Sequence, residues 1–220
     1  MLLALLFIIN SETPDPPATY NGRAGQLDVR IPRHEAELVV DGKLDEPVWA
    51  EAAVLTGFSQ FSPTDGVPAA DSTQVLVWYS STGIHFGVRA FEAHGAVHAT
   101  LADRDRISAD DYIQILLSTF NDGRQATVFA VNPFGVQSDG ALVETGSTSG
   151  NGFNNAVVKR EAPDLSPDYV FESKGRLTGY GYEVEVRIPF KSLRYQDARV
   201  QSWGIHILRR VQHSGFQDTW

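Results

Sequence analysis

From His34 onward, apolar and polar residues alternate in short runs that recur about every eight to twelve residues, with turn residues between them. Val75, Val77 and Tyr79 alternate with Gln74, Leu76 and Trp78. The turn Ser80-Ser-Thr-Gly83 leads into Ile84, Phe86, Val88 and Ala90 on one face, with His85, Gly87 and Arg89 on the other. Ile113, Ile115 and Leu117 run into Asn121-Asp-Gly123, a hairpin signal, and Thr127 to Val131 return; Asn132-Pro-Phe-Gly135 then has Pro at the second position of a turn. Tyr182, Val184, Val186 and Ile188 alternate with Glu183, Glu185 and Arg187, and Trp203, Ile205 and Ile207 follow. A period of two puts alternate side chains on opposite sides of a strand, so each run predicts a strand buried on one face. Helical periodicity is nearly absent: Glu46 to Val54 and Phe190 to Tyr195 each read as one or two turns, and Gly146 to Asn155 as a flexible loop. The predicted fold class is all-β, a two-sheet antiparallel β-sandwich with Val75, Val77, Ile84, Phe86, Val88, Ile115, Val184, Val186 and Ile205 inward.

Composition narrows the function classes. The 220 residues suit one domain with a tail, and 42% hydrophobic against 20% charged residues is enough to build a full sandwich core. Eighteen Lys and Arg against 27 Asp and Glu give a formal charge of −9, which argues against nucleic acid or an anionic membrane as partner. Neutral ligands, cations and other proteins remain. The chain has no cysteine, which removes disulfides, thiolate metal sites, a cysteine nucleophile and a lipidated N-terminal cysteine. Met1 to Ile9 are all apolar. That run is too short to span a bilayer, where about 20 residues are needed, but it has the length of a signal-peptide core. It lacks the basic start and the A-x-A cleavage site of a complete signal, and a short buried strand is the competing reading. The polar, Pro-rich stretch Asn10 to Pro17 follows as it would after cleavage, so an exported chain is expected. Residues 1–9 are then a signal-peptide remnant, 10–32 a linker carrying Pro14, Pro16, Pro17, Gly22, Gly25 and Pro32, and 33–220 the sandwich. A strand pattern runs up to Trp220 without a polar tail, and a further region is expected after it.

Several motifs line up in order. Val40-Asp-Gly-Lys-Leu-Asp-Glu-Pro-Val-Trp49 resembles the IDGxLDExxW opening of family 9 carbohydrate-binding modules, and the paired strands from Thr73 to Glu92, Asp111 to Leu117, Phe129 to Asn132, Gly181 to Phe190 and Trp203-Gly204-Ile205 follow the same pattern. The resemblance covers about residues 37 to 220. Read on its own residues, Asp41-Gly42 is a tight turn, Asp45 a cap for the turn starting at Glu46-Pro47, and Trp49 a plug on the sandwich. Asp103-Arg-Asp-Arg106, Asp110-Asp111, Asn121-Asp-Gly-Arg124, Asn132-Pro-Phe-Gly135 and Ile188-Pro-Phe-Lys-Ser-Leu-Arg194 resemble the subset of such modules that opens an exported outer-membrane β-barrel protein. The resemblance implies a location in the periplasm, outer membrane or cell surface, with a C-terminal barrel region of the same protein as a partner.

Such modules hold a sugar in an aromatic clamp, with polar side chains between the rings taking the hydroxyls. Carried over by resemblance, Asn132 matches a sugar-contacting Asn, and Gln114 stands in place of a Glu. Ala130 stands in place of an Arg, the first clamp Trp falls near Ser108, where no ring is present, and the second falls beyond Trp220. Substitute platforms are Trp78, whose alternative is packing under a loop, and Phe153, whose alternative is a loop anchor.

Other chemistry is thinner. Glu183 and Glu185 lie roughly 7 Å apart on one strand face, a spacing that admits glycoside hydrolysis but equally describes a solvated face with cross-strand ion pairs. Asp103, Asp105, Asp110 and Asp111 are candidate calcium ligands without the EF-hand pattern, the alternative being a salt-bridge cluster with Arg104, Arg106 and Arg124. The six His show no zinc spacing, Gly179-Tyr-Gly181 is a hairpin turn, and no G-x-S-x-G is present. The sequence therefore predicts a non-catalytic carbohydrate-binding module accessory to polysaccharide degradation or uptake. The alternative is an interaction or plug domain of an outer-membrane barrel that no longer binds sugar.

Overall fold

The computed structural model describes residues 18–94, 96–143 and 162–220. Twelve strands are present among them: β1 (Thr19–Asn21), β2 (Ala53–Thr56), β3 (Ser59–Ser62), β4 (Thr73–Tyr79), β5 (Gly83–Phe91), β6 (Tyr112–Ser118), β7 (Gln125–Val131), β8 (Gln137–Val143), β9 (Glu172–Thr178), β10 (Gly181–Pro189), β11 (Gly204–Val211) and β12 (Phe216–Thr219). They form two six-stranded sheets. Sheet A runs β1-β2-β4-β5-β10-β9 and sheet B runs β3-β12-β11-β6-β7-β8. Every pairing is antiparallel except β1 with β2. Short 3₁₀ turns at Pro47–Glu51 and Phe190–Ser192 fall in the two places where the sequence predicts helical turns.

The alternating pattern sets which face meets the core. Val75, Val77, Ile84, Phe86, Val88, Ile115, Val184 and Val186 are all buried between the sheets, and Ile205 packs against them half-buried. Register keeps them together: Val75 pairs with Val88, Val77 with Phe86, Val184 with Val88 and Val186 with Phe86. A slip of one residue would turn each set outward, so the apolar pattern and the register specify each other. The core also holds charge. The Arg209 guanidinium, 1% exposed, donates to Ser72 O, Thr73 Oγ1, Phe91 O and Glu92 Oε2. Burial pushes the Glu92 carboxyl up and the Asp218 carboxyl to about 6.

Residues 18–33 are not a linker. β1 pairs with β2, Tyr20, Val29 and Ile31 pack on the core, and Arg33 bridges to Tyr79. The Pro and Gly signals there mark turns in a segment that is laid along the sandwich, because its few apolar residues are spaced to reach the core. The expected signal remnant 1–9, residues 10–17 of the expected linker and the loop 146–155 lie outside the described residues.

The outer face of sheet A has its own small core. Leu44, Val48, Trp49, Ala52, Leu76 and Trp78 pack together there. Gly87 makes the slot: a Cβ on it would lie 2.6 Å from Leu44 Cδ2 and 3.0 Å from the Trp49 ring. Trp49 is thus the plug that the sequence predicts, and its Nε1 donates to Glu46 Oε2. The expected cap differs: Glu46, not Asp45, occupies the N-cap position, and no side chain caps it.

Candidate functional site

Of the residues singled out for sugar contact, Asn132, Gln114 and Trp78 are described, and Asn132 and Trp78 are engaged in holding the fold. Asn132 directly follows β7 and is fully buried. Its Nδ2 donates to Thr100 O (2.7 Å) and Asp110 Oδ2 (2.8 Å), and its Oδ1 accepts from the backbone N–H of Phe134 and Val136. Every donor and acceptor of that amide is used, so none is left for a ligand. The Asn-Pro-Phe-Gly turn needs an Asx side chain at its first position, which explains the residue without a sugar. Gln114 differs. It lies on the outer face of sheet B, half-buried, paired with Ala130 on β7 and Leu208 on β11. No clamp ring is among those strand neighbours.

Trp78 is not an exposed platform. It is 0% exposed, stacked on His85 with ring centroids 3.8 Å apart and planes within 2°, and edge-on to Trp49 at 6.0 Å. The sequence places it correctly on the face opposite Val77, but residues 38–52 fold over that face, which strand periodicity cannot reveal. Burial lowers the His85 pKa to about 4, so the stacked imidazole is neutral at neutral pH. Phe153 lies outside the described residues.

Glu183 and Glu185 do share one face, but it is not solvated. Glu183 is 5% exposed and meets Arg176 at 2.5 Å, Arg89 at 3.5 Å and the Tyr180 hydroxyl at 2.6 Å. Glu185 is 0% exposed; its Oε2 accepts from the N–H groups of Asp41 (2.8 Å) and Gly42 (2.7 Å). Burial raises its pKa to about 7 in spite of those two donors. The Asp-Gly turn of the opening motif is therefore a two-amide cradle for a carboxylate on β10. Glu185 holds residues 41–42 onto sheet A directly, and Glu183 does so through Arg176 and Arg89, which also donate to Gly42 O and Leu44 O.

The four aspartates do not converge on a cation site. Asp110 accepts from Thr100 and Asn132, Asp111 from the amides of His98 and Gln212, and Asp105 from the amide of Asp139. Asp103 is exposed. No group of three or more His, Asp or Glu among the described residues is arranged to hold a metal. The salt-bridge alternative takes a different form as well. Arg104 pairs with Asp139 and lies 3.8 Å from Asp168, residues too far along the chain for the local charge pattern to show.

One open cavity has the make-up of a ligand site. It lies where sheets A and B part, at the end of the β6–β7 hairpin, and has a volume of about 530 Å³. That is within the range of small-molecule pockets, about 300 to 1,000 Å³. Leu117, Leu142 and Leu193 supply apolar surface; Phe120 and Tyr169 supply rings. Gln125, Thr127, Ser192, Asp168, Lys191 and Arg194 add hydrogen-bonding groups. Thr119 Oγ1 donates to Arg194 O at 2.5 Å and ties the hairpin of sheet B to the segment leaving sheet A. Tyr169 is held edge-on against Phe129 at 5.8 Å. Beside this wall, Phe190, Tyr195 and Trp203 form an aromatic trio with centroids 5.5 to 6.2 Å apart. Phe120 is 39% and Tyr195 42% exposed. Rings and amides around one opening are what sugar recognition requires. The sequence carried the signal in two places, an apolar Phe120 directly before Asn-Asp-Gly and the Phe-Lys-Ser-Leu-Arg-Tyr run, but only the fold brings them to one mouth.

No protein-family model matches the sequence, and no curated protein resembles it closely enough to count as a match. Solved structures do match. A family 9 carbohydrate-binding module from Caldicellulosiruptor kristjanssonii, in complex with cellotriose, superposes with a TM-score of 0.55 at 13% identity, over 93% of this chain and 82% of that one. A second structure of a family 9 module from the same organism, in complex with glucose, gives 0.53 at 14% identity, over 85% of this chain and 84% of that one. A Bacteroides uniformis protein with a provisional carbohydrate-binding description gives 0.61 at 10% identity, over 86% and 87%. At these identities the likeness is one of fold.

Proposed function

We propose that this chain is a non-catalytic carbohydrate-binding module in an exported protein that serves polysaccharide degradation or uptake. The observation that carries the reading is the shared sandwich: 85 to 93% of the chain superposes on family 9 structures whose occupants are glucose and cellotriose. The end cavity, with Phe120 and Tyr169 on its wall, is the surface where a pyranose has both an apolar face to stack on and side chains for its hydroxyls. The engagement of Glu183 and Glu185 in structural bonds supports binding over hydrolysis. Export, to the periplasm, outer membrane or cell surface, is supported by the apolar run Met1–Ile9 and by the barrel-associated motifs. On this reading a C-terminal β-barrel region of the same protein is a partner.

Titration of the ¹⁵N-labelled chain with glucose, cellotriose and a broad panel of neutral and acidic oligosaccharides tests the proposal. We expect saturable shifts with affinity around millimolar, the strength of one or two ring stacks and a few hydrogen bonds after ordering costs. Silence across the whole panel refutes it.

A further inference from the structure

We infer that the glycan taken by the end cavity is an acidic one, a uronic-acid oligosaccharide whose carboxylate meets Lys191 and Arg194. The inference rests on the carbohydrate-binding reading and names the substrate class of that site.

Lys191 and Arg194 both line the cavity and both are exposed. Among the described residues neither side chain forms a hydrogen bond or an ion pair. Among the described residues the carboxylate on the cavity wall is Asp168, 82% exposed and 3.8 Å from Arg104 Nε, a cation it shares with Asp139, so its charge offsets part of theirs. In a chain of net charge −9, two cations three residues apart at one cavity mouth, neither ion-paired among the described residues, make a local positive site against an acidic background. A neutral sugar gives them no counter-charge.

A uronate satisfies both halves of the wall. Its carboxylate accepts charge-assisted hydrogen bonds from Arg194 and Lys191, and the CH face of its ring stacks on Phe120. The 3₁₀ turn Phe190–Ser192, whose C-cap Leu193 N–H bonds back to Phe190 O, and the Thr119–Arg194 bond hold the backbone that carries both cations. The stems are thus anchored while the charged heads stay free to reach a ligand.

The test uses the full chain, with trigalacturonic acid and cellotriose as probes. Variants are Lys191→Ala, Arg194→Ala, Phe120→Ala and the charge-conserving Lys191→Arg, with Gln114→Ala on the far face as control. We expect trigalacturonate to bind more tightly than cellotriose, with shifts centred on residues 119–127 and 191–195. Lys191→Ala and Arg194→Ala should each weaken trigalacturonate by about tenfold, one charge-assisted hydrogen bond each, while changing cellotriose by less than about twofold. Lys191→Arg should retain most of the affinity, and raising salt should weaken trigalacturonate alone. Equal binding of both probes, or trigalacturonate binding untouched by the two alanines, overturns the acidic-sugar inference and leaves the carbohydrate-binding reading standing. Shifts that follow Gln114→Ala instead overturn the cavity as the site. Silence from every sugar of the panel overturns both readings together.

Discussion

Replacing Glu185 by Gln should stabilise the protein at alkaline pH and leave it nearly unchanged near pH 5. The folded-state pKa of Glu185 is raised from its ordinary value of 4.5 to about 7 by burial, so between those values the folded chain holds a proton that the unfolded chain has lost. Stability therefore falls as pH rises through that window. At about 1.4 kcal/mol per pKa unit, the full penalty is roughly 3 kcal/mol above pH 7. A Gln at this position keeps an oxygen for the amides of Asp41 and Gly42 and never carries the charge. Urea unfolding of the wild type and Glu185→Gln at pH 5 and pH 8 measures the difference directly. Other buried acids, such as Asp218, act equally on both proteins and drop out. We expect near equality at pH 5 and an advantage for Gln of about 2 to 3 kcal/mol at pH 8. Glu185→Ala separates charge from cradle. At pH 5 it should cost about 2 to 4 kcal/mol, because two amides lose their acceptor. The reasoning is refuted if Gln is as damaging as Ala, or if the gap between wild type and Gln does not widen with pH.

Asn132→Ala should lower stability by about 2 to 4 kcal/mol in thermal or urea unfolding, since it strips partners from Asp110, Phe134 and Val136; a variant of unchanged stability would contradict the structural role. Gly135→Ala should be comparably damaging, because φ is +80° and a Cβ would lie 2.6 Å from Lys174 Cα; a melting temperature within about a degree of wild type would count against it. His85 is buried as the neutral ring with its pKa lowered to about 4, so the unfolded state gains protons first as pH falls below 6.5. His85→Phe should therefore flatten the loss of stability between pH 6.5 and 4, as followed by urea unfolding across that range. Excess Ca²⁺ or chelator should leave the melting temperature unmoved, because Asp105, Asp110 and Asp111 are engaged by protein groups; a large chelator-sensitive drop would contradict this.

What the sequence determined by itself is the six central strands β4, β5, β6, β7, β10 and β11 and their inward faces. A period of two is a local property, and Val75, Phe86, Val184 and their neighbours had one way to hide together. The turns at Ser80–Gly83, Asn121–Gly123 and Asn132–Gly135 were legible for the same reason, since turn chemistry resides in two to four adjacent residues. The second, outer face of sheet A was not. Strand periodicity marks Trp78 and Glu185 as outward, and whether outward means solvent depends on what chain comes to lie there. Here residues 38–52 do, with Trp49 seated over Gly87 and the Asp41-Gly42 amides on Glu185. Those contacts join positions 38 residues apart for Trp49 and Gly87 and 144 apart for Asp41 and Glu185, and no local pattern encodes them. Asn132 shows the same division. Its place in a turn was readable, but the four bonds that close it to a ligand come partly from Thr100 and Asp110. The end cavity, finally, exists only because a hairpin of one sheet and the exit of the other meet. Phe120, Lys191 and Arg194 are ordinary surface residues in sequence and become one wall when the sheets part.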